Sequence, residues 1–164
     1  MSVYPLLEKL ISPARLLLVE DDHAVGRIIR YWLDTQYVCQ LTWAETGAAA
    51  MRAIEAEKEP FDMVLLNLLL PDMTGADVLR ALKRRWDCVP VVVITGFSEA
   101  QVAREVLQIG VVAFFNKPFD STALEHLFRT YKIAARTRED QAYFDEARRG
   151  LVSNGTQGLS DLPG

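Results

Sequence analysis

The sequence predicts an α/β fold in which a doubly wound parallel sheet of five strands, in the order 2-1-3-4-5, lies between two layers of helices. Three observations carry the prediction. Short apolar runs recur at Leu16 to Val19, Val38 to Trp43, Asp62 to Asn67, Val89 to Thr95 and Val111 to Phe115. A segment with apolar residues at helical spacing follows each of them. The strand starts fall roughly 20 to 30 residues apart, the length of a βα unit closed by a right-handed crossover.

Leu16-Leu17-Leu18-Val19 is unbroken and apolar, as a strand buried on both faces requires, and it stops at Glu20-Asp21-Asp22. Val25, Ile28, Ile29, Trp32 and Leu33 then keep helical spacing. Val38 to Trp43 alternates and is rich in β-formers, which suits a strand with one better-covered face. Thr46 is placed to cap a second helix carrying Ala49, Ala50, Ala53 and Ile54. The third strand holds Met63-Val64-Leu65-Leu66 and ends at Asn67, before the turn chemistry of Pro71-Asp72-Met73-Thr74-Gly75. A third helix carries Val78, Leu79, Leu82 and Trp86 on one side, with Arg80 to Arg85 giving it a solvated face. Ser98 is placed to cap a fourth helix through Val102, Val106 and Leu107, and Gly110 to end it. After the fifth strand and Asn116-Lys117-Pro118-Phe119, Asp120 or Ser121 caps a last helix with Leu124, Leu127, Phe128 and Tyr131. That helix is expected to run on past Arg138 through Tyr143, Phe144 and Ala147. The polar, Gly-rich end SNGTQGLSDLPG is expected to be disordered.

One domain is expected in the 164 residues, with 1–14 as an N-terminal extension, 15–138 as the domain, and 139–164 as a helical extension and flexible tail. The net charge of -4 gives no reason to expect nucleic acid or an anionic membrane as a partner. Cys39 and Cys88 form no CxxC pattern and read as free thiols. His23 and His126 read as solvent-facing helix residues rather than phosphate carriers. No stretch approaches the ~18 apolar residues of a membrane span. The opening segment lacks the basic start of a signal peptide, so a cytoplasmic protein is expected.

In a parallel sheet the strand ends Glu20-Asp21-Asp22, Asn67, Thr95 and Lys117 converge on the carboxyl edge, where such sheets place ligands. Clustered carboxylates repel unless a cation joins them, and oxygen ligands select a hard ion, commonly Mg²⁺ where phosphate is handled. Lys117 offers a point charge, and Thr95 a hydroxyl, to oxygens gaining charge in phosphoryl transfer. What such a site lacks is a nucleophile, because position 67 is an amide.

LLLVEDD, the A-x-x-G of Ala44 to Gly47, FDMVLLNLLLPDMTG, VVVITG and FFNKPF, in this order and at these spacings, resemble the receiver domain of bacterial two-component response regulators over roughly 15–131. The resemblance implies a flavodoxin-like three-layer α/β/α architecture. It implies that an aspartate at the position of Asn67 would take phosphate from a histidine kinase. It makes Glu20 and Asp21 the acidic pair, with Asp21, the Leu69 carbonyl and Asn67 around a Mg²⁺ whose binding the amide weakens. Thr95 becomes the switch hydroxyl and Lys117 the phosphoryl contact. Phe114 stands where many receivers carry a mobile Tyr.

Two departures, Asn67 and Phe114, argue against a phosphate-driven switch. The expectation is therefore a pseudo-receiver of a phosphorelay: no enzyme, but a protein that signals by contact with a sensor histidine kinase or another signalling protein. The fourth helix, fifth strand and fifth helix form the expected surface, which also suits a homodimer. An ordinary phosphorylatable receiver, carried here as an Asp→Asn variant or as a fragment of a larger regulator, is the alternative. No DNA-binding module is legible after Arg138, and the absence of a tag-like segment favours a natural amide. A flavodoxin-like cofactor site is disfavoured because the first loop is acidic where phosphate would sit. An aspartyl-phosphate phosphatase is disfavoured because no D-x-D arrangement is present.

Overall fold

A computed structural model describes residues 13–96 and 100–136. Strands and helices alternate as β1 (Ala14–Val19), α1 (His23–Gln36), β2 (Cys39–Ala44), α2 (Gly47–Ala56), β3 (Met63–Leu66), α3 (Gly75–Arg85), β4 (Val91–Thr95), α4 (Ala100–Ile109), β5 (Ala113–Asn116) and α5 (Ser121–Thr130). The strands form one parallel sheet in the order β2-β1-β3-β4-β5, the predicted architecture.

The unbroken apolar runs are explained by the two cores. Side chains alternate along a strand, so both faces of β1, β3 and β4 must be apolar when helices cover both. Leu17, Val19, Val64, Leu66, Val91 and Val93 pack with Ala50 and Ile54 of α2, Leu79 and Leu82 of α3, and Val106 of α4. Leu16, Leu18, Met63, Leu65, Val92 and Ile94 pack on the other face with Ile29 and Leu33 of α1 and Leu124 and Phe128 of α5. The edge strands β2 and β5 are only partly buried, as their mixed sequences require.

Helix starts follow from capping. Asp22 accepts from the backbone N–H of Ala24 and Val25 at 2.9 and 3.1 Å, and Asp120 from Thr122 at 2.9 Å. Thr46 Oγ1 caps Ala49 at 3.0 Å, as predicted. The start of α2 has a second anchor: both oxygens of Asp72, in the turn after β3, accept from Gly47 and Ala48 at 2.8 Å. Gly110, at φ 115°, closes α4 from a backbone region that side chains avoid. Ser98 lies outside the described residues, as do the segments 1–12 and 137–164, including Tyr143, Phe144 and Ala147.

Two expectations need correction. The basic run of α3 is only in part a solvated face. Lys83 Nζ donates to the carbonyls of Asp87 and Val89 at 2.9 Å, closing the helix end, and Arg80 pairs with Asp77 and Glu105. More consequentially, the last helix does not run on. Lys132 adopts φ 58°, its N–H returns to the Arg129 carbonyl at 3.1 Å, and the Ile133 N–H reaches Phe128 at 2.8 Å. This is a Schellman ending. It turns Ile133 into the α1–α5 core at 5% exposure. The chain then pairs antiparallel beside the end of α1, through Val38 N–H to Ala134 and Arg136 N–H to Gln36.

Candidate functional site

The carboxyl ends of the central strands are held together by continued backbone pairing. Glu20 N–H bonds Ala44, Asn67 N–H bonds Val19, and Lys117 N–H bonds Thr95, at 3.0, 3.0 and 2.8 Å. Each of these residues lies one step beyond its strand, so the sheet register fixes where the side chains emerge. Glu20, Asp21, Asn67, Leu69, Thr95 and Lys117 line one open cleft together with Asp22, Val25 and Gly96. Glu20, Asn67 and Thr95 are 1, 7 and 0% exposed, the only buried polar residues among those described.

Burial of Glu20 demands partners, and it has them. Its Oε2 pairs with Lys117 Nζ, and its Oε1 accepts from the Asp22 N–H at 3.1 Å. Trp43 Nε1–H donates to its carbonyl at 2.9 Å. This last contact was not legible, because Trp43 reads in sequence only as a β-former. Asp22 joins the cleft's rim but serves α1 as its cap. The Val25 and Ala24 N–H groups, with Lys117 nearby, hold its carboxyl below the usual value.

Asn67 ties the cleft together. Its Nδ2 donates to Asp21 Oδ1 at 3.0 Å, to the Leu69 carbonyl at 3.0 Å and to Glu20 Oε1 at 3.3 Å, while its Oδ1 is buried with no hydrogen-bond partner. Three acceptors and no donor surround Nδ2, which fixes the amide's orientation. Gly75 completes the support: a Cβ there would stand 2.6 Å from the Asn67 carbonyl oxygen and 2.8 Å from Leu68 Cα, so the PDMTG turn can close on β3 only with glycine.

Phe114 is not brought into the cleft. It is half-buried, paired in register with Val93, and packs with the core under α2, α3 and α4. His23 is exposed, its Nδ1 3.4 Å from Glu45 and its ring edge-on to Trp43, clear of the cleft lining.

A divalent cation in this cleft would need Glu20, Asp21, the Leu69 carbonyl and position 67. These residues do not fit one as they stand. Glu20 Oε1, Asp21 Oδ1 and the Leu69 carbonyl all accept from the Asn67 amide, Glu20 is also paired with Lys117, and position 67 adds no negative charge. Among the described residues, no group of three or more His, Cys, Asp or Glu side chains is placed to hold a metal.

The family of response regulator receiver domains matches residues 16–129. The transcriptional regulatory protein KdpE of Mycobacterium tuberculosis is 36% identical over 104 residues, covering 63% of this chain and 44% of that protein. The chain thus spans less than half of that relative's length. Among solved structures, the CheY-like receiver domain protein of Methanospirillum hungatei superposes with a TM-score of 0.67 at 24% identity, covering 74% of this chain and 95% of that one. The receiver domain of the sensor histidine kinase PA1611 of Pseudomonas aeruginosa, which has a magnesium ion coordinated in its active-site cleft, superposes at 0.63 and 23% identity over 73% of this chain and 98% of that one. Both solved structures share the fold.

Proposed function

The chain belongs to the family of response regulator receiver domains, and from that premise we propose that it acts as a pseudo-receiver, a two-component signalling domain that passes information by protein contact without taking up phosphate. The observation that carries the reading is chemical. Position 67, at the end of β3 and in one cleft with Thr95 and Lys117, holds an amide. A neutral amide is no nucleophile towards phosphorus, whereas a carboxylate forms an acyl phosphate. The rest of the pocket retains the residues a receiver would use, which supports descent from a phosphorylated ancestor and a role as a regulator rather than an enzyme.

The proposed partners are a sensor histidine kinase or another signalling protein, met in the cytoplasm. The proposed surface is α4-β5-α5. Leu107 on α4, Val112 ahead of β5 and Tyr131 at the end of α5 are 57, 40 and 39% exposed, apolar area of the kind interfaces recruit. The same face suits a homodimer. Neither nucleic acid nor membrane enters the reading. No helix among the described residues is long and apolar enough to cross a membrane.

The test is incubation of the full chain with acetyl phosphate and Mg²⁺, followed by intact-mass spectrometry. No phosphoryl adduct is expected, and a stable one would sink the reading. A second reading, a phosphorylatable receiver present as an Asp→Asn variant, is favoured by the intact convergence of Glu20, Asp21, Thr95 and Lys117. It predicts efficient phosphorylation of Asn67→Asp by a cognate kinase.

A further inference from the structure

The orientation of the Asn67 amide, rather than its lack of nucleophilicity, leads further. Nδ2 lies 3.0 to 3.3 Å from Asp21 Oδ1, the Leu69 carbonyl and Glu20 Oε1, so three oxygens share one point as their hydrogen-bond partner. A divalent cation would occupy that point. The NH₂ end of the amide carries partial positive charge on two hydrogens, which it shares among the three acceptors. Lys117 adds a full positive charge to the other oxygen of Glu20, and the Asp22 N–H supports the first. Between them these donors serve both carboxylates without a metal.

The unpartnered Oδ1 completes the argument. A buried acceptor left without a donor is unfavourable, so an amide with a free choice would turn to relieve it. Turning would place Oδ1 against three oxygens, which is worse. We propose that the Asn67 amide nitrogen is a built-in surrogate for the divalent cation, holding Glu20, Asp21 and the Leu69 carbonyl in a closed arrangement that needs no metal and keeps metal out. A cation entering the cleft must first displace Nδ2 from all three oxygens. Its apparent affinity falls by the fraction of molecules in which the amide has already left. The inference goes beyond the signalling reading and is separable from it, since an amide resists phosphorylation whichever way it points.

The test compares the full chain with Asn67→Ala and Asn67→Asp by thermal unfolding in excess EDTA and in millimolar MgCl₂, and follows the Asn67 side-chain amide in the wild type by NMR. The wild-type melting temperature should be the same in both solutions, with the Asn67 amide signals unmoved. Asn67→Ala, which removes the surrogate, should gain Mg²⁺-dependent stabilisation and bind Mg²⁺ at least about tenfold more tightly than the wild type, the factor for a displaced amide populated at no more than about a tenth. Asn67→Asp should gain more. The opposite sign, a wild type stabilised by Mg²⁺ and an Asn67→Ala that is not, would mean that the amide oxygen is a ligand, and overturns the proposal. An Asn67→Ala chain as indifferent to Mg²⁺ as the wild type overturns it as well. If Asn67→Ala fails to fold, the wild-type spectrum decides: amide signals shifted by MgCl₂ refute the surrogate, and signals indifferent to it carry it.

Discussion

At position 67, replacing a carboxylate by an amide reverses what the side chain offers its neighbours, from charge to be neutralised into a donor that neutralises. A carboxylate placed there by Asn67→Asp would set an acceptor 3.0 Å from Asp21 Oδ1 and the Leu69 carbonyl and 3.3 Å from Glu20 Oε1. The loss of those hydrogen bonds, with like charges in their place, should cost the metal-free fold about 1–3 kcal/mol in urea unfolding with EDTA present. Mg²⁺ should recover that loss, and a tenfold gain in its affinity is worth about 1.4 kcal/mol. If the variant binds Mg²⁺ no better than the wild type, the pocket has decayed beyond position 67. A second residue-scale effect concerns Trp43. Its indole donates to the Glu20 carbonyl at 2.9 Å, so Trp43→Phe should lower stability by about 1 kcal/mol beyond any packing change, read as a shift in urea midpoint. Sequence singled out the amide at Asn67 because the surrounding motifs fix the register of that position. It did not expose the use made of the amide, which depends on Asp21 after β1 and Leu69 of Asn67's own loop both meeting Nδ2. Nor did it exclude Phe114 from the cleft, because a strand residue's face is known only once its register is.

Elements were legible where burial on both faces forced the composition. Leu16 to Val19 and Met63 to Leu66 could hardly be anything but central strands. Helix starts were legible where a single residue caps, as at Thr46, and less so at α2's second anchor, Asp72, which lies 25 residues away. The end of α5 was missed for a definite reason. A Schellman ending usually advertises itself with glycine, and here Lys132 adopts φ 58°. Lys132→Gly should therefore stabilise the chain by up to about 1 kcal/mol, the strain of a left-handed side chain less the entropy glycine adds to the unfolded state. Acid sensitivity also belongs to elements. The carboxyls of Asp22, Asp72 and Asp120 are held below their ordinary value of 3.8 chiefly by backbone N–H groups, of Val25, Ala48 and Thr122 respectively. A depressed folded pKa means stability that is fully present above the unfolded value and is lost as pH falls through the lower, folded one. Urea midpoints should thus decline below about pH 4. In Asp72→Asn, whose side chain cannot titrate, that decline should be shallower, and an unchanged acid limb would remove Asp72 from the account.

For the whole molecule the question is where the folded unit stops. The family match ends at 129 and α5 at Thr130, which would put the boundary at the helix. The packing puts it later. Ile133 is 5% exposed and completes the core beside Leu124 and Phe128, where Tyr37 meets the Phe128 ring edge-on at 4.6 Å between centroids. The Ala134 carbonyl takes the Val38 N–H at 2.9 Å, Arg136 N–H reaches Gln36 at 2.7 Å, and Arg136 Nε reaches Asp34 at 2.8 Å. These contacts fasten the chain after α5 to the end of α1, joining elements nearly a hundred residues apart in sequence. Two shortened chains separate the alternatives. One ending at Arg136 keeps every contact described here. One ending at Thr130 loses the Schellman turn, the burial of Ile133 and the pairing beside α1. Burial of an Ile side chain alone is worth about 1.5–3 kcal/mol. The shorter chain should be less stable than the longer by at least about 2 kcal/mol in urea, with a core that is more open to solvent around Phe128 and Tyr37. Equal midpoints for the two chains would mean that residues 131–136 only rest on the domain, and the boundary would return to the end of α5.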